Sequence, residues 1–100
     1  MTLHLTFIAN NNTNQLLACF SKDGSNWSPS AAVQGQASKA APALAVFQNK
    51  LWVGFVANNA TGDLLVCNSA NGQAWSPSAA VKGQASKAAP ALLGRNAGTL

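Results

Sequence analysis

WSPSAAVQGQASKAAPAL, Trp27–Leu44, returns as WSPSAAVKGQASKAAPAL, Trp75–Leu92, with Lys82 standing where Gln34 stood. The shift is 75 − 27 = 48 residues, and the match extends well beyond this stretch. Leu3–Leu44 align with Leu51–Leu92 without a gap and are about two-thirds identical. Phe7 pairs with Phe55, Leu16 with Leu64, Cys19 with Cys67 and Gly24 with Gly72. A fixed period of this length marks a repeat architecture, in which one unit cannot bury its own apolar face and must stack on a neighbour. After Leu92 the copies diverge: LGRNAGTL replaces AVFQNKLW.

Each unit reads as four short strands. Ala41–Phe47 begins beside Pro42, which a first strand position tolerates because its missing N–H is not needed there. Asn49-Lys50 is expected to turn the chain into Leu51–Ala57, and NNATGD leads to Leu64–Ser69. ANGQ then leads into Ala74–Val81. Strands at this spacing, separated by Gly and Asn turns, indicate an all-β chain. Pro42 and Pro90 oppose a helix in the Ala-rich SKAAPAL segments, since an interior proline costs about 3 kcal/mol.

Apolar residues fall on both faces of these strands, with Leu51, Val53 and Phe55 on one and Trp52 and Val56 on the other. A strand buried on both faces needs a sheet above and a sheet below. Four-stranded sheets stacked around an axis meet that need, and the period suits the blades of a β-propeller. The expected organisation is one two-blade unit over 1–100. Residues 3–33 give strands B-C-D of one blade, 41–81 a complete blade, 89–93 an isolated strand A, and 94–100 a frayed tail. Two blades cannot close a ring, so copies of the chain are expected to join head to tail. Ala89–Leu93 of one copy would complete the three-stranded blade of the next, giving a cyclic homo-oligomer. A trimer of six blades comes first and a tetramer of eight second.

SKDGSNW, Ser21–Trp27, and SANGQAW, Ser69–Trp75, resemble the Asp-box, the bacterial neuraminidase repeat of sialidase-like propellers. The turn is one residue shorter than usual, and Asn71 stands where the first copy has Asp23. The resemblance implies structural roles for Ser21, Asp23, Gly24 and Trp27, and for Ser69, Asn71, Gly72 and Trp75. The acidic side chain would bond turn amides and the Trp would pack between blades. Asn can make similar local bonds.

Catalysis is not expected. The resemblance implies a Tyr nucleophile assisted by Glu, with an Arg cluster, but the chain has no Tyr, no Glu and one Arg, Arg95 in the divergent tail. Glycoside hydrolysis needs two positioned carboxyl groups, and Asp23 and Asp63 are the only acidic residues, neither matched in the other copy. His4 is the only histidine, so no metal site and no cofactor are expected. Cys19 and Cys67 are expected to be buried free thiols, because equivalent positions in successive repeats lie beyond disulfide reach.

The charge of +4 is scattered singly, without the basic patch that nucleic-acid binding needs. No segment approaches the roughly 18 apolar residues of a membrane span. MTLHLTFIANNN lacks the basic region and cleavage site of a signal peptide, which leaves localisation open. Only 8% of the residues are charged, against roughly 25% in ordinary soluble proteins, which suits a surface covered by other chains.

The B–C and D–A loops of a propeller emerge on one face. Here they carry Asn10, Asn11, Gln36, Ser38 and Lys39, and in the second copy Asn58, Asn59, Gln84, Ser86 and Lys87. Amides, hydroxyls and ammonium groups offer the donors and acceptors that sugar hydroxyls require. Recurring around a ring, they would form equivalent weak sites whose joint engagement raises avidity. The expected function is thus multivalent, lectin-like carbohydrate binding. The alternative is a self-assembling fragment or scaffold with no ligand of its own, since Asn, Gly and Ser also make ordinary turns.

Overall fold

A computed structural model describes residues 2–94 of the chain. It contains seven strands: β1 (Leu3–Ile8), β2 (Gln15–Ser21), β3 (Ala31–Ala37), β4 (Ala43–Phe47), β5 (Lys50–Val56), β6 (Asp63–Ser69) and β7 (Ala79–Ala85). They form two antiparallel meanders, a three-stranded sheet β1-β2-β3 and a four-stranded sheet β4-β5-β6-β7. No helix occurs among the described residues. The expected all-β class therefore holds.

Local chemistry explains the strand limits. The tight turn falls on Gln48-Asn49 rather than Asn49-Lys50, because Phe47 pairs with Lys50. Both turn residues have positive φ, 52° and 63°, the two-residue geometry that matches strand twist. The last strand of each copy starts later than expected, at Ala31 and Ala79, because Pro29 and Pro77 lack the N–H a ladder requires. It also runs on to Ala37 and Ala85, so Gln36 and Gln84 lie in strands rather than loops. The β2–β3 register moves from Leu17↔Ala32 to Gln15↔Ala37, a bulge that β6–β7 repeats.

The core lies in the seam between the sheets. Leu16 and Val33 of the first sheet meet Val53, Phe55 and Cys67 of the second, with Ile8, Leu44 and Trp75 packed around them. Ser38, just beyond β3, bridges to Ala57 just beyond β5. Thus β5 points Val53 and Phe55 into the seam, while the period of two sends Trp52 and Gly54 to the opposite face.

Ala89–Leu93, expected as a strand, forms no ladder here. Leu92 instead lies over β5, its Cδ2 3.9 Å from where a Gly54 Cβ would stand, and Gly94 lies close against Val46. The fraying expected for 94–100 falls, past Gly94, outside the described residues.

Candidate functional site

Two polar rims flank the seam. On one, each copy's turn between its second and third strands is built around a buried serine. The Ser21 hydroxyl accepts the Asp23 and Gly24 N–H groups at 3.2 and 2.8 Å, and Asp23 Oδ1 accepts those of Ser25 and Asn26, both at 2.8 Å. In the second copy Ser69 accepts from Asn71 and Gly72 at 3.3 and 2.8 Å. Asn71 Oδ1 there takes the N–H groups of Gln73 and Ala74 at 2.8 and 3.0 Å. Asn therefore reproduces the acceptor geometry of Asp. The Asn26 backbone N–H, then that of Ser25 and the Asn26 side chain, hold the Asp23 carboxyl well below the usual range. Trp75 packs against the core, whereas Trp27 is exposed at the unpartnered end of the first sheet.

The opposite rim carries the loops after β1 and β5. Asn11 Oδ1 accepts the Thr13 N–H at 2.9 Å and its hydroxyl at 2.6 Å. Asn59 does the same with Thr61 at 2.9 and 2.7 Å. These carbonyl oxygens thus shape the turns that the sequence offered to a ligand. Asn14 Nδ2 donates to Asn58 Oδ1 at 3.0 Å and ties the two loops together across the seam. Asn10 is exposed.

Ser38 is fully buried. Its hydroxyl donates to the Ala40 carbonyl at 2.6 Å and accepts the Val56 N–H at 3.3 Å, while the Lys39 N–H donates to the Val56 carbonyl at 3.1 Å. Ser38 is thereby a joint between the sheets, not a surface group. Ser86 repeats only the local part, donating to Ala88 at 2.8 Å.

Lys39, Ser86 and Lys87 come together with Thr61 and Gly62 around an open cleft of ≈ 300 Å³. Sequence reasoning missed Thr61 and Gly62, although both stand in the loop it singled out; the small residue at 62, against Asn14 in the first copy, was the available signal. Asn10, Asn11, Gln36, Asn58, Asn59 and Gln84 do not line this cleft. A second cleft of ≈ 310 Å³ on the other rim is lined by His4, Phe20, Lys22, Asn71 and others, and His4 has no counterpart histidine.

Among the described residues, no three His, Cys, Asp or Glu side chains gather as metal ligands. Cys19 and Cys67 are both free, and burial pushes the Cys67 thiol up to about 11. No described helix is long and apolar enough to cross a membrane. Comparison with protein-family models, with curated proteins and with solved structures finds no match for the chain.

Proposed function

We propose that the chain supplies two β-propeller blades, that copies close a ring head to tail, and that the ring binds carbohydrates on its repeated rim without catalysis. Unequal burial of equivalent residues carries this reading. Val53 is 0% exposed but Leu5, 48 residues earlier, is 46% exposed; Val33 is 0% exposed but Val81, 48 residues later, is 38% exposed. The copies are too alike in sequence to explain the difference. It arises because each sheet has one face in the seam, while the other face is open on the first sheet and, on the second, is covered only in part by the chain's own Leu92.

The open face of the first sheet carries Leu3, Leu5 and Trp27, whose counterparts Leu51, Val53 and Trp75 are partly or fully covered in the seam. The open face of the second sheet carries Leu64 and Val81, whose counterparts Leu16 and Val33 are fully buried. One copy therefore offers what the next copy's opposite end fits, with the chain's own seam as template. Such a heterologous contact closes into a ring when the rotation allows, and six blades from three copies, then eight from four, are the expected closures.

The ring also provides the missing strand. Leu44 stands opposite Val53; moved by one repeat, 44 + 48 = 92 and 53 − 48 = 5, so Leu92 would stand opposite Leu5 of the next copy. Paired in this way, the exposed edge of β1 would no longer invite unregulated association.

Carbohydrate binding rests on the rim around Lys39, Ser86 and Lys87, with Gln36 and Gln84 nearby in sequence and Asn10 and Asn58 in the loops of the same rim. The absence of catalysis rests on Asp23, whose oxygens are taken up by its own turn. The second reading, self-assembly alone, is favoured by Ser38, Asn11 and Asn59, whose oxygens already serve the fold. A glycan array probed with rings of verified mass separates the two. Saturable binding supports the lectin-like reading, and a silent array with intact rings leaves assembly as the function.

A further inference from the structure

Lys39 and Lys87 occupy the same place in successive copies, 39 + 48 = 87, and both are exposed. They nevertheless line one cleft, because the segments after β3 and β7 flank the same loop, 58–62. Neither Asp23 nor Asp63 lines it. Two ammonium groups at one cleft repel each other, and an anion between them converts that repulsion into attraction.

The other lining groups narrow the ligand class. The Thr61 hydroxyl donates to Asn59 at 2.7 Å and that of Ser86 to Ala88 at 2.8 Å. Ala60, Gly62 and Ala85 complete the wall without polar side chains. The side-chain donors left for a ligand are thus the two ammonium groups, while the hydroxyl oxygens keep acceptor capacity. A fitting ligand carries a negative charge and donates hydroxyl hydrogens.

We infer that this cleft binds an anionic saccharide, its carboxylate or sulfate held between Lys39 and Lys87 and its hydroxyls donating to Thr61 and Ser86. Resting on the ring reading, the inference extends to a second cleft that one chain cannot form. Moved back by one repeat, the lining becomes Thr13, Asn14, Ser38 and Lys39, and the place of the first lysine falls to Lys87 of the preceding copy. Thr13 there donates to Asn11 at 2.6 Å, as Thr61 does to Asn59; the buried Ser38 hydroxyl is taken up by Ala40 and Val56, so Thr13 is the hydroxyl acceptor left to a ligand at this second cleft. Each lysine then borders two clefts, and the ring carries twice as many sites as chains.

The test titrates intact protein of measured mass with oligogalacturonate, dextran sulfate and neutral dextran. Lys39→Gln and Lys87→Gln serve as site variants, and Lys22→Gln and Lys50→Gln as equal charge changes elsewhere. Losing a charged hydrogen bond corresponds to about tenfold weaker binding, expected for each site variant and for neither control. Binding of at least one acidic saccharide, at two sites per chain in the ring, is the supporting result; which one binds distinguishes carboxylate from sulfate. Equal weakening by all four variants, no saturable acidic binding, or one site per chain in an intact ring overturns the inference. Intact rings that bind only neutral glycans overturn it while leaving the lectin-like reading standing. A protein that stays monomeric overturns both the ring and the shared cleft.

Discussion

The His4 imidazole lies across the seam where a side chain at Gly72 would begin: a Cβ there would stand 2.7 Å from His4 Cε1 and 2.9 Å from Nδ1. Gly24, the same turn position in the first copy, shares the positive φ, 82° against 78°, but has nothing within 4 Å. The repeat thus reserves room at this turn for a neighbouring sheet, and only one copy has that neighbour within the chain.

Alanine at the two glycines should separate conformation from contact. Gly24→Ala meets only the left-handed backbone penalty, about 1–2 kcal/mol. Gly72→Ala adds a clash with His4, so its loss should reach about 2–4 kcal/mol. Urea denaturation of chains held apart by dilution measures the difference; equal losses would contradict the seam geometry.

Asp23 makes the first copy's turn sensitive to acid. Its folded pKa is lowered, so its contribution is present above the unfolded value near ~3.9 and is lost as pH falls toward the folded value. Asp23→Asn, which copies Asn71, should remove this dependence. The stability gap between wild type and variant, measured by denaturation at falling pH, should therefore shift toward the variant below about pH 4. A gap constant with pH would rule out the hydrogen-bonded carboxylate.

The two thiols report assembly. Cys67 is buried in the seam with its pKa pushed up to about 11, whereas Cys19 is partly open on the first sheet. Since the thiolate is the reactive form, a thiol reagent should modify Cys19 in separated chains and spare Cys67. Raising the protein concentration should protect Cys19 as the next copy covers it. Cys19 labelling that ignores concentration would argue against a covered face.

The register between copies can be trapped. Opposed antiparallel residues lie about 4.5–5.5 Å apart at Cα, within disulfide reach. Leu5→Cys with Leu92→Cys, in a Cys19→Ser, Cys67→Ala background, should give covalent oligomers on oxidation. His4→Cys with Leu92→Cys, slipped by one residue, turns one thiol to the other face and should not. Equal cross-linking by both pairs would refute the register.

Much of this fold is written in the repeat. The copy of Trp27–Leu44 at Trp75–Leu92 located the two sheets, and the Gly and Asn turns separated their strands. The turn around Ser21 and Asp23 was legible because its oxygens act within a few residues. Ser38 was not, since its role depends on Val56 of the other sheet, a contact with no local signature. Asn11 and Asn59 are ambiguous for the opposite reason: their bonds to Thr13 and Thr61 are local but use the same groups a sugar would. The late starts of β3 and β7 could have been read from Pro29 and Pro77, whereas the bulges that carry them to Ala37 and Ala85 depend on pairing with β2 and β6. The Lys39–Lys87 cleft emerges only when the seam brings successive segments to one loop.

The ring and the second cleft depend on open faces covered by further copies, and the mass of the particle in solution reports this directly. Light scattering at micromolar concentration should find one discrete closed species, of three chains or else four, with no growth on further concentration. A stable, well-folded single chain under those conditions, or a continuous distribution of sizes, would contradict the ring.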